Sequence, residues 1–234
     1  MYLYDLHCHT LHGSKCGHVT AREHLHYYKK LGFAGFCITD HFSGNSTLEE
    51  EVCWEDRVNL TFDVCNSIKD EADELGIKGC PAMEFSMRAD KEKFLPATGN
   101  DFIILGLERE WMLENREVFF LDFSSMCKKL REAGAFIIHA HPFLEGSWIA
   151  NIVLCPRDVD AVEIYNGHAS KEVNDAAAWY AKQYGLLTTA GSDNHSIDQS
   201  YTAGVECAHR CDTIEELIAA IKDGSATPFM RVAE

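Results

Sequence analysis

Tyr2-Leu-Tyr-Asp-Leu-His-Cys-His9 is a short apolar run that ends on two histidines. Tyr2-His7 is predicted as a β-strand. Residues i and i+2 of a strand point to one side, so His7 and His9 can set two imidazoles on one ion. The pattern recurs along the chain. Gly35-Thr39 runs into Asp40-His41, Gly79-Met83 into Glu84, Ala135-His139 into His141, and Leu186-Ala190 into Asp193-Asn-His195. By the same geometry His139 and His141 are expected to converge. Further strands are expected at Phe102-Gly106, Ala161-Tyr165 and Ala203-Cys207. Longer amphipathic segments separate them, and such alternation implies an α/β fold of βα units around a parallel sheet. A βα barrel gathers the C-terminal ends of its strands at one face, where groups distant in sequence share a pocket.

Thr20-Ala-Arg-Glu23 and Thr213-Ile-Glu-Glu216 fit the capping box, and Gly224 suits a left-handed cap closing the second of those helices. No Pro/Ser-rich linker, low-complexity tract or repeat divides the 234 residues, so one domain spanning 1–234 is expected. The least regular stretches, Ser43 to Asp56 and Arg88 to Asn100, are expected as loops over one mouth.

Acidic residues number 37 against 21 basic ones, a net charge of −16 that repels a phosphate backbone or an anionic membrane surface. Nucleic acid is therefore disfavoured as a partner. No apolar run approaches the roughly 20 residues of a membrane span, and the start lacks a signal-peptide pattern. A cytoplasmic location is the expectation. The 10 cysteines form no C-x-x-C pair and are read as reduced, mostly buried side chains.

Of the histidines, His12, His24, His26 and His209 are read as ordinary structural side chains, with His24 and His26 on a helix surface. The opposite holds for His7, His9, His41, Glu84, His141, Asp193 and His195. Polar groups packed this densely at strand ends would be desolvated and unpaired without a cation.

The segments Asp5-Leu-His-Cys-His-Thr10, Ile38-Thr-Asp-His41, Ala82-Met-Glu84, Ile138-His-Ala-His-Pro142, Glu163-Ile-Tyr-Asn166 and Ala190-Gly-Ser-Asp-Asn-His195 follow one another in an order that resembles the PHP (polymerase and histidinol phosphatase) domain of metal-dependent phosphoesterases. The resemblance implies a distorted (β/α)7 TIM-like barrel with two or three divalent transition-metal ions (Zn, Fe or Mn) at the C-terminal ends of the strands. It implies that His7, His9, Glu84 and Asp193 hold one ion, that Glu84 bridges to a second also bound by His141, and that His18, His41 and His195 hold the third. Asp193, His195 and Glu84 are the catalytic candidates, around a metal-bridging hydroxide as nucleophile.

Cys16-Gly-His18 is similar to the histidinol-phosphatase branch, which implies a small phosphate monoester as substrate. A nucleotide phosphodiesterase or exonuclease and a non-catalytic regulatory module are the alternatives. His168, Lys15 and Arg88 are candidate phosphate contacts, with Lys171 a further one, and Asp40 is a candidate acceptor orienting a ligand histidine. One departure stands out: relatives place His-x-Leu-Gly where this chain has Ile103-Ile-Leu-Gly106. The second ion is therefore expected to rely on Glu84 and His141 with water or a looser site, His139 being the other replacement considered.

Overall fold

The computed structural model describes residues 1–88, 97–147, 149 and 151–233. Strands β1 (Tyr2–Asp5), β2 (Gly35–Ile38) and β3 (Lys78–Pro81) are connected through α1 (Ala21–Lys30) and then α2 (Trp54–Asn66) with α3 (Lys69–Leu75). β4 (Met83–Arg88) and β5 (Ala97–Leu105) follow, then α4 (Arg109–Glu114), a 3-10 turn at Arg116–Phe120 and α5 (Phe123–Glu132). The remainder is β6 (Phe136–His139), β7 (Ala161–Asn166), α6 (Lys171–Tyr184), β8 (Leu187–Gly191), β9 (Tyr201–Cys207), α7 (Ile214–Asp223) and β10 (Ala226–Val232).

Local chemistry explains several boundaries. At α1 both halves of the capping box form, Glu23 N–H donating to Thr20 Oγ1 at 3.2 Å and Thr20 N–H to Glu23 Oε2 at 2.7 Å. At α7 the box is split: Thr213 accepts from Glu216 N–H, but the Glu216 carboxylate takes the N–H of Asp212 at 2.7 Å. Gly224 closes α7 at φ 78°, a left-handed cap.

The α/β character is as expected, but the strands form two five-stranded sheets, β10-β9-β1-β2-β3 and β4-β5-β6-β7-β8. β4–β5, β5–β6, β1–β9 and β9–β10 pair antiparallel, where a wholly parallel sheet was expected. For β4 and β5 the reason is length: positions 89–96 alone separate them, fewer than the dozen or so residues a parallel crossover needs. Those positions, within the irregular Arg88–Asn100 stretch of the sequence reading, lie outside the described residues, while 97–100 belong to β5.

The expected strand Gly79-Met83 divides at Ala82, so one segment passes from the first sheet to the second. There the sheets are stitched by backbone bonds, Ala82 N–H to Ile38 O at 3.0 Å, Glu84 N–H to Asp40 O at 3.1 Å and Phe42 N–H to Glu84 O at 2.8 Å. Just beyond β1 and β8 a second seam closes, with His9 N–H donating to Asn194 O at 2.8 Å and Asn194 N–H to His7 O at 3.2 Å. Between the sheets lies a shared apolar core of Leu6, Ile103, Leu105, Phe136, Ile138 and Val205, plugged at one end by Leu217, Ile218 and Ile221 of α7. The other helices cover the outer faces. Among the described residues no helix is long and apolar enough to cross a membrane.

Candidate metal centre

The two seams bring His7, His9, His41, Glu84 and Asp193 to one end of the shared core. His7 Nδ1 lies 2.9 Å from Glu163 Oε1, an acceptor, so a ring proton sits on Nδ1 and Nε2 faces inward. Gly191 makes that approach possible: a Cβ there would stand 2.3 Å from His7 Cβ and 2.8 Å from Glu163 Oε1. His9 is oriented by a relay. Ser14 Oγ donates to Asp40 Oδ1 at 2.8 Å, so it can only accept from His9 Nδ1, 3.0 Å away. Asp40, fixed by Thr10 N–H at 2.6 Å, thus acts on a ligand-type histidine through a serine.

The two Nε2 atoms face each other at 3.1 Å; against the opposing effect of burial, Asp193, Glu163 and Glu84 raise His7 well above its usual range, so in the metal-free chain its Nε2 proton points at the His9 lone pair, and a cation would take that proton's place. Carboxylate oxygens converge on the same point. Glu84 Oε1 is 3.5 Å from His7 Nε2 and Oε2 is 3.3 Å from His9 Nε2, while Asp193 Oδ1 lies 3.4 and 3.2 Å from the two nitrogens. His41 Nδ1, a buried atom with no hydrogen-bond partner among the described residues, stands 3.0 Å from Glu84 Oε2. His141 Nε2 is 3.2 Å from Glu84 Oε1. A cation satisfies all of these groups at once, and imidazole with carboxylate is the donor set of a divalent metal. The residues present fit such ions.

The electrostatics agree. Burial would raise the Glu84 and Asp193 carboxyls, yet His41 and His7 hold Glu84, and His7 and His9 hold Asp193, well below the usual carboxylate range. Burial would lower His141, and the hydrogen bond and charge of Glu84, with Asp193 and Asp101, instead raise it to about 9. Among the described residues His141 (φ 27°) and Asp193 (φ 53°) are the non-glycine positions with positive φ. Such conformations cost about 1–3 kcal/mol each and persist where surrounding contacts impose them. At His141 the backbone contact is Glu163 Oε2, which takes its N–H at 3.0 Å; the same oxygen takes Asn166 Nδ2–H at 2.9 Å, and Asn166 also donates to the Asp193 side chain at Oδ2, 3.2 Å away.

The left-handed turn at His141 overturns the expected convergence of His139 and His141. Ile138 and Ala140 face the shared core, so alternation sends His139 to the outer side, where it stacks on Phe102 at 4.7 Å. His141 escapes that alternation through its φ and joins Glu84. His139 is fully buried, and neither ring nitrogen has a partner among the described residues.

Two further placements differ from the sequence reading. His18 is exposed and belongs to none of the ligand-type groups among the described residues; its backbone N–H donates to His195 O at 2.9 Å. Cys16 takes that place, within 4.8 Å of His9 and His41, whereas His195 groups with His9 and Asp193. His24 is not on a surface: it is fully buried, its Nε2 donating to His9 O at 2.8 Å. His26 is exposed and pairs with Glu71 at 2.9 Å.

Of the phosphate-contact candidates, His168 adjoins the centre, its ring centroid 5.0 Å from that of His195. Lys15 is exposed, 3.7 Å from Glu49. Arg88 turns to Leu121 O at 3.0 Å and the Phe120 ring, and Lys171 to Asp175 at 2.6 Å. Sequence reasoning missed Asp101, which groups with Glu84 and His141. Its signal was available: it stands two residues before Ile103 on one strand, hence on the same face.

No protein-family model matches the chain, and no curated protein does. Solved structures share its fold. A two-domain protein from Bacteroides vulgatus, containing a predicted PHP-like metal-dependent phosphoesterase, gives a TM-score of 0.69 at 14% identity over 97% of this chain, which spans 64% of that protein's length. An amidohydrolase from Chromobacterium violaceum with bound sulfate and no metal gives 0.59 at 14% identity, covering 93% of this chain and 96% of that one. A lesion-specific endonuclease from Pyrococcus furiosus gives 0.57 at 16% identity, covering 97% and 57%.

Proposed function

The chain has the fold of the PHP-like metal-dependent phosphoesterases, and from that premise we propose that residues 1–234 form one catalytic domain hydrolysing small phosphate monoesters with two or three divalent ions. The carrying observation is the convergence of His7 Nε2 and His9 Nε2 at 3.1 Å, with Glu84 and Asp193 beside them. The backbone stitches at Ala82–Glu84 and His7–Asn194 support reading the two sheets as halves of a distorted (β/α)7 barrel.

His7, His9, Glu84 and Asp193 would hold one ion, Glu84 and His141 a second, and His41 and His195 contribute to a third. Bound ions would neutralise phosphate oxygens and activate water, which also reverses the local sign of an acidic chain. Glu84 and Asp193, kept ionised by the imidazoles around them, set the charge of the site. His195 donates from Nδ1 to Asp193 O at 2.7 Å and is part-exposed, which leaves its Nε2 to serve the third ion at the rim of the centre. His168, beside it at the rim, is the phosphate contact of choice. The shared apolar core excludes water from below.

A nuclease reading has the likeness to the Pyrococcus furiosus endonuclease in its favour and the charge of −16 against it. The test is elemental analysis of protein never exposed to chelator, with hydrolysis assays on p-nitrophenyl phosphate, bis-p-nitrophenyl phosphate and single-stranded DNA. Monoester turnover lost in His7→Ala, Glu84→Ala and Asp193→Ala but kept in the exposed-surface variant His26→Ala supports the proposal. Protein with at most one ion, or turnover of DNA alone, overturns it.

A further inference from the structure

Among the overlapping ligand-type groups of this centre, two differ in chemistry. Glu84, Asp101 and His141 form one group, two carboxylates with an imidazole, all within 4.8 Å of one another. His9, Cys16 and His41 form another within the same limit, two imidazoles with a thiol.

Register explains how Asp101 gets there. Ile103 lies directly opposite Glu84 in the β4–β5 ladder and is sunk in the shared core, 1% exposed, so that position offers no donor. Two residues along, on the same face and opposite Ser86, stands Asp101. The Ser86 hydroxyl donates to its Oδ1, and its backbone oxygen takes the N–H of Ala140 at 3.0 Å, which ties this point of β5 to the segment carrying His141. The carboxylate is thus buried, aimed by a neighbour and grouped with Glu84.

Cys16 is placed by a turn following His9, in which Ser14 N–H donates to Thr10 O and Gly17 N–H to Ser14 O, both at 3.1 Å. The buried His41 Nδ1 has no hydrogen-bond partner among the described residues and stands 3.0 Å from Glu84 Oε2, so His41 lies between the two pockets. Oxygen donors suit manganese and magnesium; a thiolate with imidazoles selects zinc.

We propose, resting on the metal-dependent reading above, that the centre is heterometallic: Asp101 completes an oxygen-rich pocket with Glu84 and His141 for a manganese-type dication, while Cys16 with His41, beside His9, makes a sulfur-containing pocket for zinc. Asp101 thereby replaces the donor absent at Ile103.

Because zinc outranks manganese at most mixed sites, the experiment limits zinc. Metal-stripped full-length protein receives one equivalent of zinc and excess manganese, is desalted, and its bound ions are counted, with manganese also followed by its paramagnetic resonance. A parallel sample is titrated with cobalt to read the thiolate-to-metal charge-transfer absorption. Zinc and manganese retained together, with a thiolate band in the cobalt sample, is the expected result. Asp101→Asn should weaken manganese binding at least about 10-fold, the scale of even an outer-partner loss, and leave zinc in place. Cys16→Ser should abolish the thiolate band and leave manganese in place. Wild type holding only one kind of ion, a band that survives Cys16→Ser, or Asp101→Asn with unchanged manganese affinity overturns the inference. Wild type that binds no metal at all overturns the metal-dependent reading beneath it. The wild-type measurements stand even if a variant fails to fold.

Discussion

His7 Nε2 and His9 Nε2 face each other at 3.1 Å while each ring commits a proton on the opposite side, to Glu163 and to Ser14. Two lone pairs held so close in a buried site repel unless a proton or a cation lies between them. Metal should therefore act as a structural element as well as a reagent. An ion present at 100 times its dissociation constant adds about 2.7 kcal/mol to stability. Chelation is expected to lower the melting temperature and re-addition of zinc or manganese to restore it. A melting temperature indifferent to chelator would count against a cation at this point.

Ser14 is expected to tune affinity without touching the ion. In Ser14→Ala the His9 Nδ1–H loses its acceptor and Asp40 loses a donor, so the ring is free to swap tautomers. Losses of such supporting partners cost about 10- to 100-fold in metal affinity. Calorimetric metal titration with circular dichroism as a fold check reads this directly. Equal affinities for wild type and Ser14→Ala would remove the relay from the account.

Proton competition gives the pH dependence. His141 in the metal-free protein is raised from its ordinary 6.5 to about 9, chiefly by Glu84 against the opposing effect of burial. Its contribution to metal-free stability is complete below 6.5 and lost as pH climbs through about 9. Metal affinity moves the other way, because the ring must shed that proton to coordinate. Urea midpoints of stripped protein should fall across this window while metal affinity rises, and His141→Gln should flatten the first trend. A stripped protein whose urea midpoint rises over the same range contradicts the assignment.

The convergence of these side chains was legible wherever a predicted strand ends on them, because the i, i+2 rule and the gathering of strand ends need no tertiary detail. His7 with His9, Glu84 after Met83, and Asp193 with His195 are of this kind. His139 with His141 was misread because the rule assumes extended backbone, and His141 turns left-handed on contacts from Glu163, 22 residues away. Asp101 was legible only in part: the i, i+2 rule puts it on the face of Ile103, but the β4–β5 register is what sets it opposite Ser86 and beside Glu84 and His141. The two-sheet arrangement escaped a reading built on βα alternation, since the short 89–96 connection reverses β5 against β4.

Gly191 tests how tightly the second seam must close. A Cβ at that position meets His7 Cβ at 2.3 Å, and backbone neighbours cannot rotate away as a flexible side chain would. Gly191→Ala is expected to cost about 1–3 kcal/mol through overpacking and to displace His7 from Glu163, weakening metal binding more than the stability loss alone explains. Denaturant unfolding and metal titration on one preparation separate the two effects. Wild-type affinity in a folded Gly191→Ala protein would show that the seam has slack.

His139 makes the opposite prediction from its neighbour two residues on. It is fully buried, both ring nitrogens lack partners among the described residues, and burial lowers its pKa to about 3, so it is neutral and contributes no charge. An unsatisfied buried polar group costs about 1–3 kcal/mol, and the ring already behaves as an aromatic, stacked on Phe102 at 4.7 Å and edge-on to Tyr180 at 5.8 Å. His139→Phe should keep that packing, remove the unpaired nitrogens and raise stability by about 1 kcal/mol, leaving bound metal unchanged. His141→Phe should instead cost an ion. Metal counts and unfolding midpoints for the pair decide the matter: if His139→Phe loses metal, the outer-facing assignment of this histidine fails, and with it the argument that the left-handed turn at His141 separates the two rings.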